Sequence, residues 1–157
     1  MADVFELSIV LNLRDDLSDE EIAELRWHLG LGDRPETLHL VTSFPVVVED
    51  DCGEPVLENR PVPLLGRHGE AWKVDGALIS VLLRPEEARH GTWALTVRQE
   101  IHPDEFASTG ELLRWLAAKA DDRHRSSTGE VRLGWTRFYE SDRYEPLVVR
   151  NDEVVWP

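Results

Sequence analysis

Cysteine is nearly absent from this chain of 157 residues, which contains only Cys52. A single cysteine cannot form a disulfide within the chain, and low cysteine usage is typical of proteins that fold in the reducing cytoplasm. Carboxylates surround it in the segment Glu49-Asp50-Asp51-Cys52-Gly53-Glu54, and they disfavour a reactive thiolate. We therefore expect a cytoplasmic protein in which Cys52 is a turn residue and not a nucleophile.

Long apolar runs are also absent. A membrane helix needs about 20 consecutive, mostly apolar residues, and no stretch of the sequence approaches that length. The first six residues, Met-Ala-Asp-Val-Phe-Glu, lack the basic start and the uninterrupted apolar run of a signal peptide. The sequence thus predicts a protein that neither spans a membrane nor carries an export signal.

The short motifs of several well-understood chemistries are missing. The sequence contains no G-x-x-x-x-G-K or G-x-G-x-x-G loop, no H-E-x-x-H zinc motif and no G-x-S-x-G nucleophile turn. The six histidines are scattered, at positions 28, 39, 68, 90, 102 and 124. We therefore predict no cofactor and no bound metal, and the sequence leaves open whether the chain is an enzyme.

Lysine is scarce, because 15 of the 17 basic residues are arginine, a bias typical of GC-rich, bacterial-type genomes. The 31 acidic residues outnumber them and give a formal net charge of −14 at pH 7. Such a surface repels nucleic-acid phosphates and anionic lipid, so we expect neither as a partner. It favours a basic protein partner or a cationic ligand, with solubility alone as the alternative.

What is present indicates one folded domain over residues 1–157. The length suits a single hydrophobic core, and six tryptophans anchor an apolar fraction of 41%. Alternation of apolar and polar residues predicts strands at 5–13, 77–83, 93–101 and 130–139. Helices are predicted at 19–29, where Ser18 and Glu21 form a capping box, and after Ser108, where Glu111 follows three residues on.

The segment 31–70 is harder to interpret, because prolines fall at positions 35, 45, 55, 61 and 63. Prolines at this density suit edge strands and loops. We predict strands at 37–42 and 45–49, a turn at 50–53, and a strand at 71–74 that turns at Asp75-Gly76. A last hairpin is predicted from 147–150 and 153–156, turning at Asn151-Asp152.

This order of elements predicts an α+β fold, with two helices on one face of an antiparallel sheet. A shift of 88 residues superimposes Leu25-Arg26-Trp27 on Leu113-Arg114-Trp115, and five of 23 paired positions are identical. The match suggests half-repeats at about 5–83 and 93–157, with two unrelated strand–helix units as the alternative. A duplicated ferredoxin-like core with an extra hairpin fits this pattern.

One polar row is the candidate site. In the strand 93–101, Trp93, Leu95, Val97 and Ile101 alternate with polar residues that continue beyond the strand: Thr96, Arg98, Glu100 and His102. Guanidinium, carboxylate and imidazole groups in a row could bind an anion and move a proton. The alternative is a solvated sheet face with cross-strand ion pairs. The strand 130–139 could add Arg132, Thr136 and Glu140 to this face, and Gly134 would leave a gap there.

Three functional classes follow from these observations. The first is a small-molecule-binding domain that uses the open sheet face. The second is an acidic interaction protein that binds a basic protein. The third is a homo-oligomeric structural domain such as a homodimer, since Trp156 near the terminus would be costly to expose and could dock across a subunit boundary. Trp135 is predicted to lie in the core.

Overall fold

The computed structural model describes residues 3–157 and has eleven regular elements within that range. Two are helices, α1 and α2, and nine are strands, β1 to β9. In chain order they are β1 (Phe5–Leu13), α1 (Asp19–His28), β2 (Pro45–Glu49), β3 (Pro55–Asn59), β4 (Gly69–Glu70), β5 (Ala77–Leu83), β6 (Trp93–Ile101), α2 (Phe106–Lys119), β7 (Val131–Phe138), β8 (Glu145–Arg150) and β9 (Glu153–Val155).

Seven strands form one antiparallel sheet in the order β4-β5-β6-β1-β7-β8-β9. β1 lies in the centre and pairs with β6 over its whole length, with Ile9 opposite Val97. Its pairing with β7 is shorter and stops at Ile9 opposite Gly134. The α+β class and the antiparallel sheet with two helices are therefore as predicted from the sequence.

Alternation along each strand separates the two faces of the sheet. One face is apolar and packs against both helices in a single core. That core contains Leu7, Ile9, Leu11 and Leu13 from β1, Leu95, Val97 and Ile101 from β6, and Leu25, Leu112, Leu113 and Leu116 from the helices. The opposite face carries no helix, and we call it the open face.

The ends of α1 follow from its sequence. The Ser18 hydroxyl accepts a hydrogen bond from the Glu21 N–H, and the Glu21 carboxylate accepts one from the Ser18 N–H, which completes the predicted capping box. Gly30, with a φ of 70°, lies just beyond the end of the helix. A side chain at Gly30 would also collide with the Gly66 carbonyl oxygen.

The start of α2 differs from the prediction. A 3₁₀ turn at Pro103–Glu105 comes first, and α2 begins at Phe106 rather than after Ser108. His102 caps this turn, because its Nδ1 accepts a hydrogen bond from the Asp104 N–H and its own N–H donates to the Glu105 carboxylate. Ser108 lies inside the first turn of α2, so its predicted capping role is wrong.

Two predicted strands, at 37–42 and 71–74, are absent from the structure. The backbone in both places donates to a distant carboxylate instead of to a neighbouring strand. Glu24 accepts hydrogen bonds from the N–H groups of residues 39, 40 and 41, and Glu100 accepts them from residues 72 and 73. These carboxylates satisfy the backbone donors that a sheet would otherwise satisfy.

β2 and β3 form a separate two-stranded sheet, a hairpin that turns at Asp50–Gly53 as predicted. Cys52 is exposed in that turn. No helix within residues 3–157 is long and apolar enough to cross a membrane.

Two tryptophan predictions have different outcomes. Trp156 is docked, but within its own chain, where its ring stacks on Phe106 with the centroids 4.2 Å apart. Trp135 is not in the core: it lies on the open face opposite Ser8, with 40% of its surface exposed. The bulge in β7 between Arg132 and Gly134 shifts the side-chain alternation, and the sequence pattern does not reveal that shift.

Candidate functional site

Thr96 and Arg98 point to the open face, as the alternation of β6 predicts. Thr96 is exposed and lies between Val81 of β5 and Val10 of β1. Arg98 is engaged within the chain: its Nε lies 3.1 Å from Glu6 Oε1, and its Nη1 donates to the Ala77 carbonyl oxygen at 2.9 Å. The structure thus brings Arg98 together with a carboxylate of the central strand.

Glu6 is the centre of a buried charge network that the sequence did not indicate. The residue is 3% exposed and accepts hydrogen bonds from Arg98 and Arg137, with Arg137 Nη2 at 2.9 Å and Nε at 3.2 Å from Oε2. The hydrogen bond to Glu6 raises the pKa of Arg137. The three groups together carry a net positive charge, but most of the guanidinium donors are already engaged by Glu6 and by backbone carbonyl oxygens, which leaves few of them for a ligand.

The side chains of Glu100 and His102 also have hydrogen-bond partners within the chain. The Glu100 carboxylate is buried and accepts hydrogen bonds from the backbone N–H groups of Trp72 and Lys73. His102 caps the 3₁₀ turn before α2. The row of residues predicted from the sequence is therefore present, but Arg98 and Glu100 hold the chain together, and only Thr96 is well exposed.

The β5 side of the open face is apolar. Exposed aliphatic side chains cover the β5 side and reach β1, with Trp135 on β7. The residues are Ile79, Val81 and Leu83 of β5, Val10 of β1 and Trp135 of β7. A face of this composition can bury part of a ligand but supplies few polar contacts.

A cleft opens where β1 and β7 separate, and we call it the β1–β7 cleft. Beyond Ile9 the two strands no longer pair, and residues 121–124 take the place of β7 beside β1. The Asn12 N–H donates to His124 Nε2 at 2.9 Å, and the Asn12 carbonyl oxygen accepts from the Asp121 N–H at 2.9 Å. The cleft has a volume of about 360 Å³.

Basic residues concentrate in this cleft of a strongly acidic chain. Three arginines and a histidine line it: Arg123, Arg125, Arg132 and His124. Trp135 lines it as well. Arg123 is paired with Asp121 at 3.1 Å, and Glu130 in the lining is paired with Arg150 at 2.8 Å. Within residues 3–157, no carboxylate lies within ion-pair distance of Arg125 or Arg132.

The two unpaired arginines are held in different ways. Arg132 lies over the Trp135 ring, with its guanidinium carbon 5.1 Å from the ring centroid, which orients its planar group. Arg125 donates weakly, at 3.3 Å, to the Gly129 carbonyl oxygen. Both side chains belong to exposed residues and keep donors available for an anion.

His124 lies at the base of the cleft. Its Nε2 accepts a hydrogen bond, so the proton of the neutral ring is on Nδ1. Burial lowers the pKa of His124, and the adjacent Arg123 lowers it further. The ring is therefore neutral at pH 7. It adds no charge to the cleft, and its hydrogen bond with Asn12 holds the loop beside β1.

Gly134 allows the strands to meet at the edge of the cleft. A Cβ built there would overlap the Ser8 carbonyl oxygen, so the close approach is made by the backbone of β1. The gap that the sequence suggested at this glycine is filled by β1.

Arg125 and the cleft were missed because they depend on a splayed strand pair and a 3₁₀ turn at Asp122–His124. Of the two unpaired arginines, the sequence indicated only Arg132, as an addition to the polar face. Within residues 3–157 there is no group of three His, Cys, Asp or Glu side chains close enough to hold a metal ion.

No protein-family model, curated protein sequence or solved structure matches the chain. Function therefore has to be inferred from the geometry and chemistry of the chain itself.

Proposed function

We propose that the chain binds a small anionic molecule on its open sheet face, in the β1–β7 cleft. The observation that carries the proposal is the presence of two unpaired guanidinium groups, Arg125 and Arg132, in one cleft of a chain with a net charge of −14. Within residues 3–157, eight of the 15 arginines form an ion pair with a carboxylate. Two that form none and lie together in one concave site favour an external anion.

The chemistry of the cleft defines the ligand class. A guanidinium group matches a carboxylate or a phosphate by donating two parallel hydrogen bonds. The exposed parts of Trp135 and Val10 supply an apolar wall for a carbon skeleton or a ring. The volume of about 360 Å³ is at the small end of the range for small-molecule sites, about 300–1,000 Å³. A carboxylate or phosphate ester of metabolite size fits these features.

Binding is favoured over catalysis by the state of the imidazole. Within residues 3–157, His124 is the only histidine that lines the cleft, and its Nε2 accepts the hydrogen bond of the Asn12 N–H. The Nδ1–H of His124 can donate to a ligand. The ring cannot accept a proton on Nε2 without losing the hydrogen bond from Asn12 that holds the loop against β1. The role of His124 in the proposal is therefore to position the loop.

The row Thr96, Arg98, Glu100 and His102 stays a second proposal for the position of the ligand on the same face. It is weaker, because Arg98 and Glu100 already have partners within the chain. Substitution distinguishes the two positions: loss of binding in Arg98→Ala with unchanged binding in Arg132→Gln would favour the row.

A thermal-shift experiment tests the cleft. The probes are inorganic phosphate, citrate and adenosine monophosphate, each with wild type, Arg125→Gln, Arg132→Gln and the control Arg89→Gln, which removes an exposed arginine outside the cleft. A ligand at a hundred times its dissociation constant stabilises by about 2.7 kcal/mol. We expect at least one probe to stabilise wild type and the control, with affinity at least about tenfold weaker in both cleft variants.

The opposite pattern would count against the cleft. Equal stabilisation of all four proteins would mean a general effect of the salt on folding. Isothermal titration calorimetry of the best probe then reports whether any site exists.

We also infer that the core is ferredoxin-like and arose by duplication. The order β5-β6-β1-β7 in the sheet supports this inference, as does the placement of α1 after β1 and of α2 between β6 and β7. The shift of 88 residues equates Ile9 with Val97, and these two residues lie opposite each other at the middle of the β1–β6 pairing. Related sequences test the inference, since a duplication predicts some in which the halves are more similar than here.

A further inference from the structure

The hairpin of β2 and β3, residues 45–59, is a feature that the proposed function does not use, and we call it the β-arm. Its two strands pair only with each other. Aliphatic side chains along it are exposed, with Val47 at 67% and Leu57 at 73%. A two-stranded hairpin is at best marginally stable in water, and exposed aliphatic side chains along one are typical of an interaction surface.

A groove of about 590 Å³ runs along the base of the β-arm, and we call it the arm groove. It lies between β2 and the start of α2 and is floored by the buried ring of Phe44. Its apolar lining is Val46, Val47, Val62 and Leu64. No residue of β3 lines it, so the groove follows the free edge of β2.

That edge offers backbone hydrogen bonds. The Asp50 N–H donates to the Glu54 carbonyl oxygen, and the Arg60 N–H donates to the Phe44 carbonyl oxygen. In an antiparallel pair the hydrogen-bonded residues alternate, so Val47 and Glu49 direct their N–H and C=O groups away from β3. An extended segment in the groove could therefore pair with β2 as a third strand.

Charge determines which segment fits. Four carboxylates lie at or next to the turn of the β-arm, and two more lie on the α2 side of the groove: Glu49, Asp50, Asp51, Glu54, Asp104 and Glu105. The one basic residue in the lining, Arg60, is already paired with Glu58 at 2.7 Å. A second copy of this chain would bring another net charge of −14 to the same place.

We propose that the arm groove binds an extended segment of a basic partner protein. Its aliphatic side chains fill the groove, its backbone pairs with β2, and its lysines and arginines face the carboxylates of the β-arm and α2. This site is separate from the β1–β7 cleft, so either proposal can fail without the other.

A phage-displayed library of random dodecapeptides tests the proposal. It is panned against the full wild-type chain and counter-selected on Val47→Arg, which places a positive charge in the groove. Leu57→Arg is the matched control: it adds the same charge to the same hairpin, at an equally exposed position that does not line the groove. One enriched peptide is then synthesised, and its affinity is measured by fluorescence polarisation.

We expect enriched peptides that alternate aliphatic residues with lysine or arginine. Their affinity should fall about tenfold or more in Val47→Arg, and to a much smaller extent in Leu57→Arg. It should also weaken with salt. No enrichment over Val47→Arg, or enrichment of acidic peptides, would overturn the proposal. So would analytical ultracentrifugation that shows a wild-type dimer dissociated by Val47→Arg, since the occupant would then be a second copy.

Discussion

Two regions of this molecule satisfy their backbone polar groups in different ways. Residues 30–76, which we call the tethered segment, contain little regular structure and are held by side chains that reach in from α1, β5 and β6. Residues 131–155, which we call the C-terminal hairpins, comprise β7, β8 and β9 and are held by backbone hydrogen bonds between neighbouring strands. Both regions pack on the same core.

The tethers of the first region are buried polar side chains. Glu24 accepts from residues 39–41, and Glu100 accepts from residues 72 and 73. Gln99 both accepts from the Arg67 N–H and donates to the Arg67 carbonyl oxygen, and the Ser80 hydroxyl donates to the Leu65 carbonyl oxygen. Because Glu24, Glu100 and Gln99 each serve two or three backbone groups, the segment should be sensitive to single polar substitutions. The hairpins should be sensitive to backbone geometry instead.

The largest effect is expected at Glu24. Glu24→Ala leaves the buried Val41 N–H and the half-buried Leu40 N–H without an acceptor, at about 1–3 kcal/mol for each buried donor, and also leaves a cavity. We expect a loss of about 4 kcal/mol in the free energy of unfolding, measured by urea denaturation. Glu130→Ala, which removes the partly exposed pair with Arg150 beside β7, should cost less than about 1 kcal/mol.

The second effect is a pH dependence that arises at His28, the last residue of α1, which packs against Phe44 of the tethered segment. His28 is fully buried next to Glu24 and packs against the rings of Trp27 and Phe44. Burial lowers the pKa of His28 to about 4, although the charge of Glu24 opposes the shift. Between pH 6.5 and 4 the unfolded chain binds a proton at this residue and the folded chain does not, so stability falls with falling pH in this window.

The contribution amounts to about 3 kcal/mol between pH 6.5 and pH 4, from about 1.4 kcal/mol for each pH unit. Denaturation of wild type and His28→Phe at a series of pH values isolates it, because the variant should lose this part of the slope. The exposed His90→Phe controls for the loss of a histidine elsewhere. An unchanged slope in His28→Phe would mean that the ring is charged or solvated in the folded chain.

The third effect is on the backbone of the C-terminal hairpins. Gly134→Ala places a methyl group against the Ser8 carbonyl oxygen, where β1 and β7 last pair. We expect a loss of about 2 kcal/mol, in the range of overpacking substitutions. Chemical-shift changes in an ¹⁵N spectrum should concentrate at residues 8–10 and 133–135. Wild-type stability would contradict the strand approach described here.

The same contrast explains which elements could be predicted from the sequence. The bounds of β1 and β6 follow from local alternation, and those of β5 from an apolar run after the turn at Asp75-Gly76. The capping box and apolar stripe of α1 give its bounds to within one residue. The strands predicted at 37–42 and 71–74 are absent because the acceptors for their N–H groups, Glu24 and Glu100, lie 15 to 28 residues away in sequence. Nothing in the local pattern reveals that such a tether exists.

The candidate site likewise has a part that local sequence predicts and a part that depends on distant residues. The alternation of β6 correctly places Thr96 and Arg98 on the face opposite the core. It does not reveal that the Glu6 carboxylate binds both Arg98 and Arg137, because these arginines lie 92 and 131 positions further along the chain than Glu6. The β1–β7 cleft was beyond prediction because it results from a bulge and from the end of a strand pairing.

The smallest expected effect is a gain in stability, from a substitution at Gly110 in α2. Gly110 lies inside α2, and a Cβ there would meet the Trp156 ring at 3.7 Å and Val154 at 3.9 Å, which are ordinary van der Waals distances. Gly110→Ala should therefore stabilise the chain by about 0.5–1 kcal/mol, mainly by reducing the freedom of the unfolded backbone. Urea denaturation of the variant and wild type measures the gain.

Ala118→Gly gives the cost of a glycine at an exposed position of the same helix. If Gly110→Ala gains more than Ala118→Gly loses, the surplus reports the new contact with Trp156. A destabilised Gly110→Ala would mean that the C-terminal residues pack more tightly on α2 than described, because only a steric clash would reverse the helix preference. The C-terminal hairpins would then depend on a side-chain contact, as the tethered segment does.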